Sequence, residues 1–393
     1  MQTGSLFYTY HVADIKLIFI NTFNFMLIKL GADALNISLV GGKKVGLISN
    51  TASFLASGNR LDKLVKSAKS LTLFAPEHGV GLQKKAGEIV DNEFYKGLKV
   101  VSLYGQNQAI ESYLDGIDVV LYDLQDVGVR FYTYISTLKA SIAAANKKGK
   151  EFYVLDRPNP LSGCVDGTML KKGFESFVGA WEVPIRYGLT AGELAMYGQK
   201  FGLYSKVVKM EGWKIGDWFD QTGLIWAPPS PAIKTLYSAL IYSGMGLIEG
   251  TNLSEGRGTD EPFMVYGAPW LNETPKIDET GFALEPAKFI PAYDKYSGEL
   301  CKGFRIKVVD RKRSSFDLAA QIISWAANYK EFEFLKSGNI YKIDLLSGTD
   351  EFRKAVLDDK LDDYKEKWRY ERETFLKEAQ PYMIYRRRIW SQS

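Results

Sequence analysis

Apolar residues in the first two hundred positions fall in short runs separated by polar stretches. Lys44 to Ile48, Leu71 to Phe74, Leu98 to Leu103, Asp118 to Tyr122 and Phe152 to Leu155 are nearly unbroken runs of strand length. Such runs suit strands buried on both faces. Between them the period lengthens. Leu61, Leu64 and Val65 share one face of a helix over 60–68, and a short helix is expected over 109–114. Phe131, Tyr134, Ile135, Leu138, Ile142 and Ala145 fall three and four apart, which predicts a long helix over 131–148. Thr190 and Glu193 have capping-box spacing for a helix to about Phe201, and Lys206 to Met210 reads as a sixth strand. This alternation predicts an α/β fold with a mostly parallel sheet and helices on both faces.

Ligands of such sheets bind beyond the carboxyl ends of the strands. Those ends here carry Ser49 with Asn50, Glu77 with His78, Tyr104 with Gly105, Asp123 with Gln125 and Asp126, and Asp156 with Arg157. Pro158 and Pro160 then hold Asn159 in a fixed loop. Glu77 and His78 stand out, because they leave a buried strand together just after Pro76. The chain has only two histidines, His11 and His78. A histidine at a strand end is a candidate for proton chemistry, against the plainer reading of a ring bonded to loop backbone.

From Ile225 the texture changes. A proline segment, Trp226 to Pro231, precedes an apolar helix expected over 235–247. Glu249, Asn252, Glu255 and Arg257 then lie among glycines at 250, 256 and 258. Charged side chains on a glycine-rich loop point to a site loop rather than a linker. Beyond about residue 262 a second, α+β domain is expected. Phe304 to Val309 alternates as a half-buried strand, and helices are expected over 316–329 and 361–379. The division is an N-terminal extension or leader at 1–34, a catalytic domain at 35–260 and a C-terminal domain at 261–393.

Composition narrows the chemistry. The net charge is only +4 and the basic residues are dispersed, so no nucleic-acid surface is expected. Arg386 to Arg388 reads as a solvated tail. Cys164 and Cys301 are too far apart in sequence for a metal motif or a disulfide framework. Gly79-Val80-Gly81 is the nearest approach to a dinucleotide motif, but Lys84 stands at the third glycine. Neither a phosphate loop nor a Gly-x-Ser-x-Gly elbow is present. No cofactor is therefore called for, and one histidine without a cysteine cluster argues against zinc. The run Leu17 to Ile28 is interrupted by Asn21, Thr22 and Asn24 and is too short to span a bilayer. Ala32 and Ala34 belong either to a signal cleavage site or to the first helix, and Met26 is an alternative start. The sequence settles neither export nor oligomeric state.

Several carboxylates near aromatic rings suit glycoside hydrolysis, where one carboxyl protonates the leaving oxygen and a second supports the sugar cation or activates water. Tyr132, Tyr134, Trp181, Trp213, Trp218 and Trp226 are available to stack on sugars. An ordered set of motifs goes further. Phe-Ala-Pro-Glu-His-Gly at 74–79, Ala-Gly-Glu at 86–88, Ser-Leu-Tyr-Gly at 102–105 and Asp-Leu-Gln-Asp-Val-Gly-Val-Arg-Phe-Tyr-Thr-Tyr at 123–134 come first. Leu-Asp-Arg-Pro-Asn-Pro-Leu at 155–161, Val-Asp-Gly at 165–167, Pro-Ser-Pro at 229–231 and Glu-Gly-Thr-Asn-Leu-Ser-Glu-Gly-Arg-Gly-Thr at 249–259 follow. Together they resemble the bacterial exo-β-N-acetylmuramidases, from about Leu35 to Tyr385.

The resemblance implies a Rossmann-like domain joined to a smaller C-terminal one, with a cleft between them. It implies release of N-acetylmuramic acid from the non-reducing ends of peptidoglycan fragments, a periplasmic or exported substrate. On this reading Glu77 is the acid and His78 its partner or a substrate contact. Glu255, Glu249 and Asp126 compete for the second carboxylate role. Arg130, Arg157 and Arg257 compete for the lactyl carboxylate of muramic acid, which suits an arginine fork. Asn50, Tyr104, Tyr132, Tyr134, Asp156, Asn159 and Asn252 are the remaining candidate contacts. The chain departs from the family pattern at Val80-Gly81-Leu82, where members commonly carry Phe-Arg-Gly. Two other readings stay open: a muramyl-sugar binder without catalysis, and a hydrolase using a carboxylate-bound metal.

Overall fold

The computed structural model describes residues 28–57, 60–88, 93–104, 110–277 and 281–387. His11, Met26, the apolar run from Leu17 up to residue 27, Gly105 and Arg388 lie outside them. The apolar runs become β1 (Lys44–Ser49), β2 (Ser70–Ala75), β4 (Leu98–Ser102), β5 (Val119–Asp123) and β6 (Glu151–Leu155), joined by the short β3 (Glu93–Tyr95). A hairpin follows, β7 (Val165–Met169) with β8 (Pro184–Tyr187), then β9 (Lys206–Val208). The main sheet has the order β3-β4-β2-β1-β5-β6-β9, and only the β3–β4 pair is antiparallel.

Burial on both faces explains the unbroken runs. Ile48, Phe74, Val120, Tyr122 and Val154 face the larger core, while Val45, Leu47, Leu73 and Leu121 fill a second one. Leu47 sits beside Leu73 on one side and Leu121 on the other. Chain order reverses at β1 and β5, which is where such sheets open a crevice.

Helices α1 (Thr51–Ser57), α2 (Arg60–Ser67) and α3 (Tyr134–Lys147) follow β1, α1 and β5 in the chain. The periodicity placed the start of α3 three residues too early. Residues 128–133 are instead a turn, in which Gly128 has φ +77° and a Cβ would lie 2.3 Å from Asn159 Oδ1. Only glycine fits there. The expected capping box opens α4 (Ala191–Tyr197), with Thr190 and Glu193 exchanging two bonds of 3.1 Å.

The C-terminal half opens with α5 (Leu236–Met245). Its Gly244 packs so closely on Ser315 that a Cβ would overlap the carbonyl, so α5 can meet α6 (Ser315–Ala326). An antiparallel sheet, β10 (Val265–Ala268), β12 (Cys301–Val308) and β11 (Phe282–Phe289) in that order, lies alongside. Helices α7 (Lys342–Ser347), α8 (Glu351–Leu357) and α9 (Leu361–Ala379) complete the α+β half.

Two segments sit differently from the sequence division. The Glu249–Gly258 loop bridges to Phe334 through Thr251 and to Gly267 through Ser254, so it is built into the C-terminal half. Residues 28–34 are built into the sheet edge: Lys29 bridges to Glu211, and Gly31 N donates to Asp156 O at 2.9 Å. Ala32 and Ala34 therefore belong to the expected first helix, a single turn over Gly31–Ala34. No described helix is long and apolar enough to cross a membrane.

Candidate active site

Strand β2 delivers Glu77 and His78 into a tight turn closed by Gly79 N donating to Pro76 O at 3.1 Å. Both side chains are largely buried. Glu77 Oε2 accepts from the Thr133 hydroxyl at 2.6 Å, and Oε1 accepts from Gly87 N at 3.0 Å. The Tyr104 phenol feels the same carboxylate: burial first, then the Glu77 charge and a side-chain interaction with it, push the phenol up to about 12, so it keeps its proton.

His78 has φ +75°, a conformation that costs energy and is tolerated where surroundings impose it. Its Nδ1 lies 2.9 Å from Lys84 O. A carbonyl only accepts, so Nδ1 carries the proton and Nε2 of the neutral ring carries the lone pair. Burial, assisted by the Arg257 charge, lowers the pKa against the pull of Glu77 and the Lys84 carbonyl. The ring is neutral at pH 7.

The opposite wall comes from the C-terminal half. A cavity of about 110 Å³ is lined by Glu77, His78, Thr133 and Tyr132 on one side and by Glu249 and Arg257 on the other. Arg257 Nη2 donates to Glu249 Oε1 at 2.7 Å, and Nε lies 3.3 Å from Glu255 Oε1. The guanidinium stands 5.0 Å from the Phe263 ring, whose backbone is itself left-handed at φ +65°. Behind it, Lys295 Nζ binds Glu255 Oε2 at 2.9 Å and the carbonyls of Ile248 and Leu253 at 3.0 and 2.8 Å.

The two glutamates have different surroundings. Glu255 exposes 2% of its side chain, and Glu249 exposes 30%. Burial pushes Glu255 up, but the Lys295 and Arg257 charges outweigh it and hold the carboxyl below its usual range. Burial raises Glu249, and the Glu255 charge adds to that against Arg257. Glu255 is thus the fixed counter-ion behind Arg257, and Glu249 is the carboxyl that faces the cavity. One carboxyl from each half, an imidazole lone pair and an arginine meet around one space. Such a set can give and take a proton on either side of a bond and hold an anion.

Comparison with known proteins decides the family. The model described as exo-beta-N-acetylmuramidase NamZ, N-terminal, matches residues 45–237, and that described as exo-beta-N-acetylmuramidase NamZ, C-terminal, matches residues 240–385. The chain belongs to the exo-β-N-acetylmuramidase NamZ family. It is 38% identical over 322 residues to the peptidoglycan beta-N-acetylmuramidase NamZ of Bacillus subtilis, covering 77% of this chain and 78% of the relative. A crystal structure of a DUF1343 family protein from Bacteroides fragilis is 32% identical with a TM-score of 0.80, over 91% of this chain and 99% of that one. A second DUF1343 structure from the same organism, 24% identical with a TM-score of 0.73, covers 92% and 99% and shares the fold.

Within this NamZ-family site, several residues expected at the cleft have other partners. Three of the five strand ends were expected to offer carboxylates, and only Glu77 opens into the cavity. Asp123 is consumed by Arg157, whose Nε donates to it at 2.6 Å while Nη2 donates to Ser53 O at 3.0 Å. Asp156 accepts from Thr190 Oγ1, Gly192 N and Tyr385 OH at 2.7, 2.8 and 2.7 Å. Asn50 donates to the Tyr134 hydroxyl at 2.9 Å, and Tyr134 donates to Pro229 O at 2.6 Å. Asn159 spans Leu189 O and Leu161 N, and Asn252 spans Glu331 O and Glu333 N.

Arg130 is fully buried, and its guanidinium donates to Thr168 O, Val183 O and Leu346 O at 2.7, 2.8 and 2.9 Å. It staples the β7–β8 hairpin to the C-terminal half and does not line the cavity. Asp126 accepts from Gly128 N at 2.6 Å and from the Tyr187 hydroxyl, behind the site. Burial raises it to about 6. Among the described residues no three of His, Cys, Asp and Glu are grouped as a metal site requires.

Sequence reasoning passed over Thr133, although it lies between the quoted Tyr132 and Tyr134. Its position in a motif otherwise rich in aromatics was the available signal. Lys295 and Phe263 carried none.

Proposed function

We propose that this chain is an exo-acting β-N-acetylmuramidase in which Glu77 is the acid, Glu249 the second carboxylate and Arg257 the reader of the lactyl carboxylate. The meeting of Glu77 and the Glu249–Arg257 pair across one cavity, from two halves that both match NamZ-family models, carries this reading. The Bacillus relative's name supplies the substrate, peptidoglycan with a β-linked N-acetylmuramic acid.

Glu77 gives its proton to the bridging oxygen as the bond from the anomeric carbon breaks. Glu249, on the far wall, supports the positive charge that develops on the sugar or draws a proton from the incoming water. The Thr133 and Tyr104 hydroxyls suit a group that changes protonation, because a hydroxyl donates to a carboxylate and accepts from a carboxyl. His78 Nε2 is an acceptor for a sugar hydroxyl or the water. Arg257 is the one arginine among the described lining residues, and Glu249 and Glu255 engage its Nη2 and Nε. Nη1 is left for a ligand carboxylate. That matters because Val80-Gly81-Leu82 lacks the arginine common in the family at that turn.

The test is incubation with N-acetylmuramic acid β-1,4-linked to N-acetylglucosamine. Equal amounts of the two free sugars support the reading. Binding without cleavage reduces the protein to a muramyl-sugar binder, and activity abolished by a chelator assigns it to metal-dependent hydrolysis.

A further inference from the structure

We propose that Phe177 is the platform on which the leaving sugar stacks, so that it sets the preference for a saccharide leaving group. The inference rests on the assignment of Glu77 as the acid. The acid's proton goes to the bridging oxygen, so the departing sugar must lie on the acid's side of the cavity. On that side the Glu77 charge acts on the Tyr104 hydroxyl, and the Tyr104 ring meets Phe177 with centroids 5.6 Å apart and planes at 50°. Phe177 therefore continues the acid's aromatic wall outward.

The placement of Phe177 is fixed rather than incidental. It sits at the tip of a tight turn closed by the Ser176–Gly179 bridge. The turn is pinned to α3 by Ser136 Oγ donating to Phe177 O at 2.6 Å and by Lys139 Nζ donating to Ala180 O at 2.6 Å. Despite that anchoring, Phe177 remains 44% exposed. Its neighbour Val178 lines the Glu77 cavity. Phe177 itself lines the adjoining cavity of about 280 Å³, with Leu103, Ile110, Thr137, Ala140 and Ala144. Thr137 on α3 stands one helical turn beyond Thr133, the residue that precedes the helix, so the two cavities follow one side of α3. A volume near the lower end of the ~300–1,000 Å³ of small-ligand sites suits one sugar. Apolar C–H faces of a pyranose lie well on an aromatic ring, and small alanines leave room for it.

The test compares two substrates, the muramyl–glucosamine disaccharide and β-muramyl fluoride, which has no leaving sugar. In Phe177→Ala the kcat/KM for the disaccharide falls about tenfold or more, mainly through KM, as expected for an aromatic face no longer covered. Fluoride hydrolysis stays within about twofold of wild type, and Phe177→Trp restores the disaccharide. Equal losses on both substrates, or no loss on the disaccharide, overturn the proposal. A wild-type protein that cleaves neither substrate overturns the muramidase reading, and this inference with it.

Discussion

Thr133 donates its hydroxyl proton to Glu77 Oε2 at 2.6 Å, linking the turn before α3 to the residue delivered by β2. This bond orients the proposed acid. Thr133→Val keeps the shape and removes the donor. A hydrogen bond to a charged group contributes about 1.5–3 kcal/mol, so kcat should fall roughly ten- to hundredfold. Thr133→Ser should recover most of it. Unchanged kcat in the valine variant would detach Thr133 from the acid.

Arg257 faces the cavity beside Glu249, with Glu255 behind it. If it holds the lactyl carboxylate, inhibition by free N-acetylmuramic acid should weaken about tenfold or more in Arg257→Lys, which keeps the charge and loses the fork. Inhibition by N-acetylglucosamine should not change. Equal weakening for both sugars would contradict the role.

Arg130 has a structural role that can be separated from binding. Arg130→Met removes the guanidinium donor from three buried carbonyls, of which Val183 O keeps Leu170 N, and should cost about 2 kcal/mol or more. A lower Tm with unchanged KM in the folded fraction is expected. A raised KM at unchanged Tm would return Arg130 to the binding site.

Asp126 makes a signed pH prediction. Its folded pKa is raised to about 6 from 3.8, mainly by burial, so the folded state binds the proton more tightly than the unfolded chain does. The favourable contribution is complete below about 4 and is lost as pH rises through 6. Asp126→Asn can keep the Gly128 and Tyr187 contacts through its carbonyl oxygen, while its amide nitrogen takes the place of Oδ1, which has no hydrogen-bond partner. The variant should be more stable than wild type at pH 8 by roughly 3 kcal/mol and equal to it near pH 4. Melting curves across that range decide it. A difference independent of pH would be inconsistent with the burial argument.

The order of strands and helices was legible because burial on both faces writes itself as unbroken runs such as Val119 to Tyr122. The Thr190–Glu193 cap was legible because both partners are local. What stayed hidden depends on distant partners. Asp123 and Asp156 look like Glu77 in sequence, each a carboxylate at a strand end. Arg157 neutralises the first, and Tyr385, 229 residues further on, helps to hold the second. No local pattern announces such a partner. The Glu249–Gly258 loop stands out in the sequence by its glycines and charges, and its Glu249 and Arg257 line the cavity. Its counter-ion Lys295 lies 40 residues away from Glu255 and had no signature.

The central claim is that Glu77 donates the proton to the leaving sugar. Glu77→Gln tests it most directly, assayed on the muramyl–glucosamine disaccharide and on β-muramyl fluoride with Tm measured alongside. Fluoride leaves without a proton, so the variant should keep fluoride hydrolysis at unchanged Tm while disaccharide cleavage falls by about 10² to 10⁴. Near-wild-type release of N-acetylmuramic acid from the disaccharide by Glu77→Gln would contradict the account.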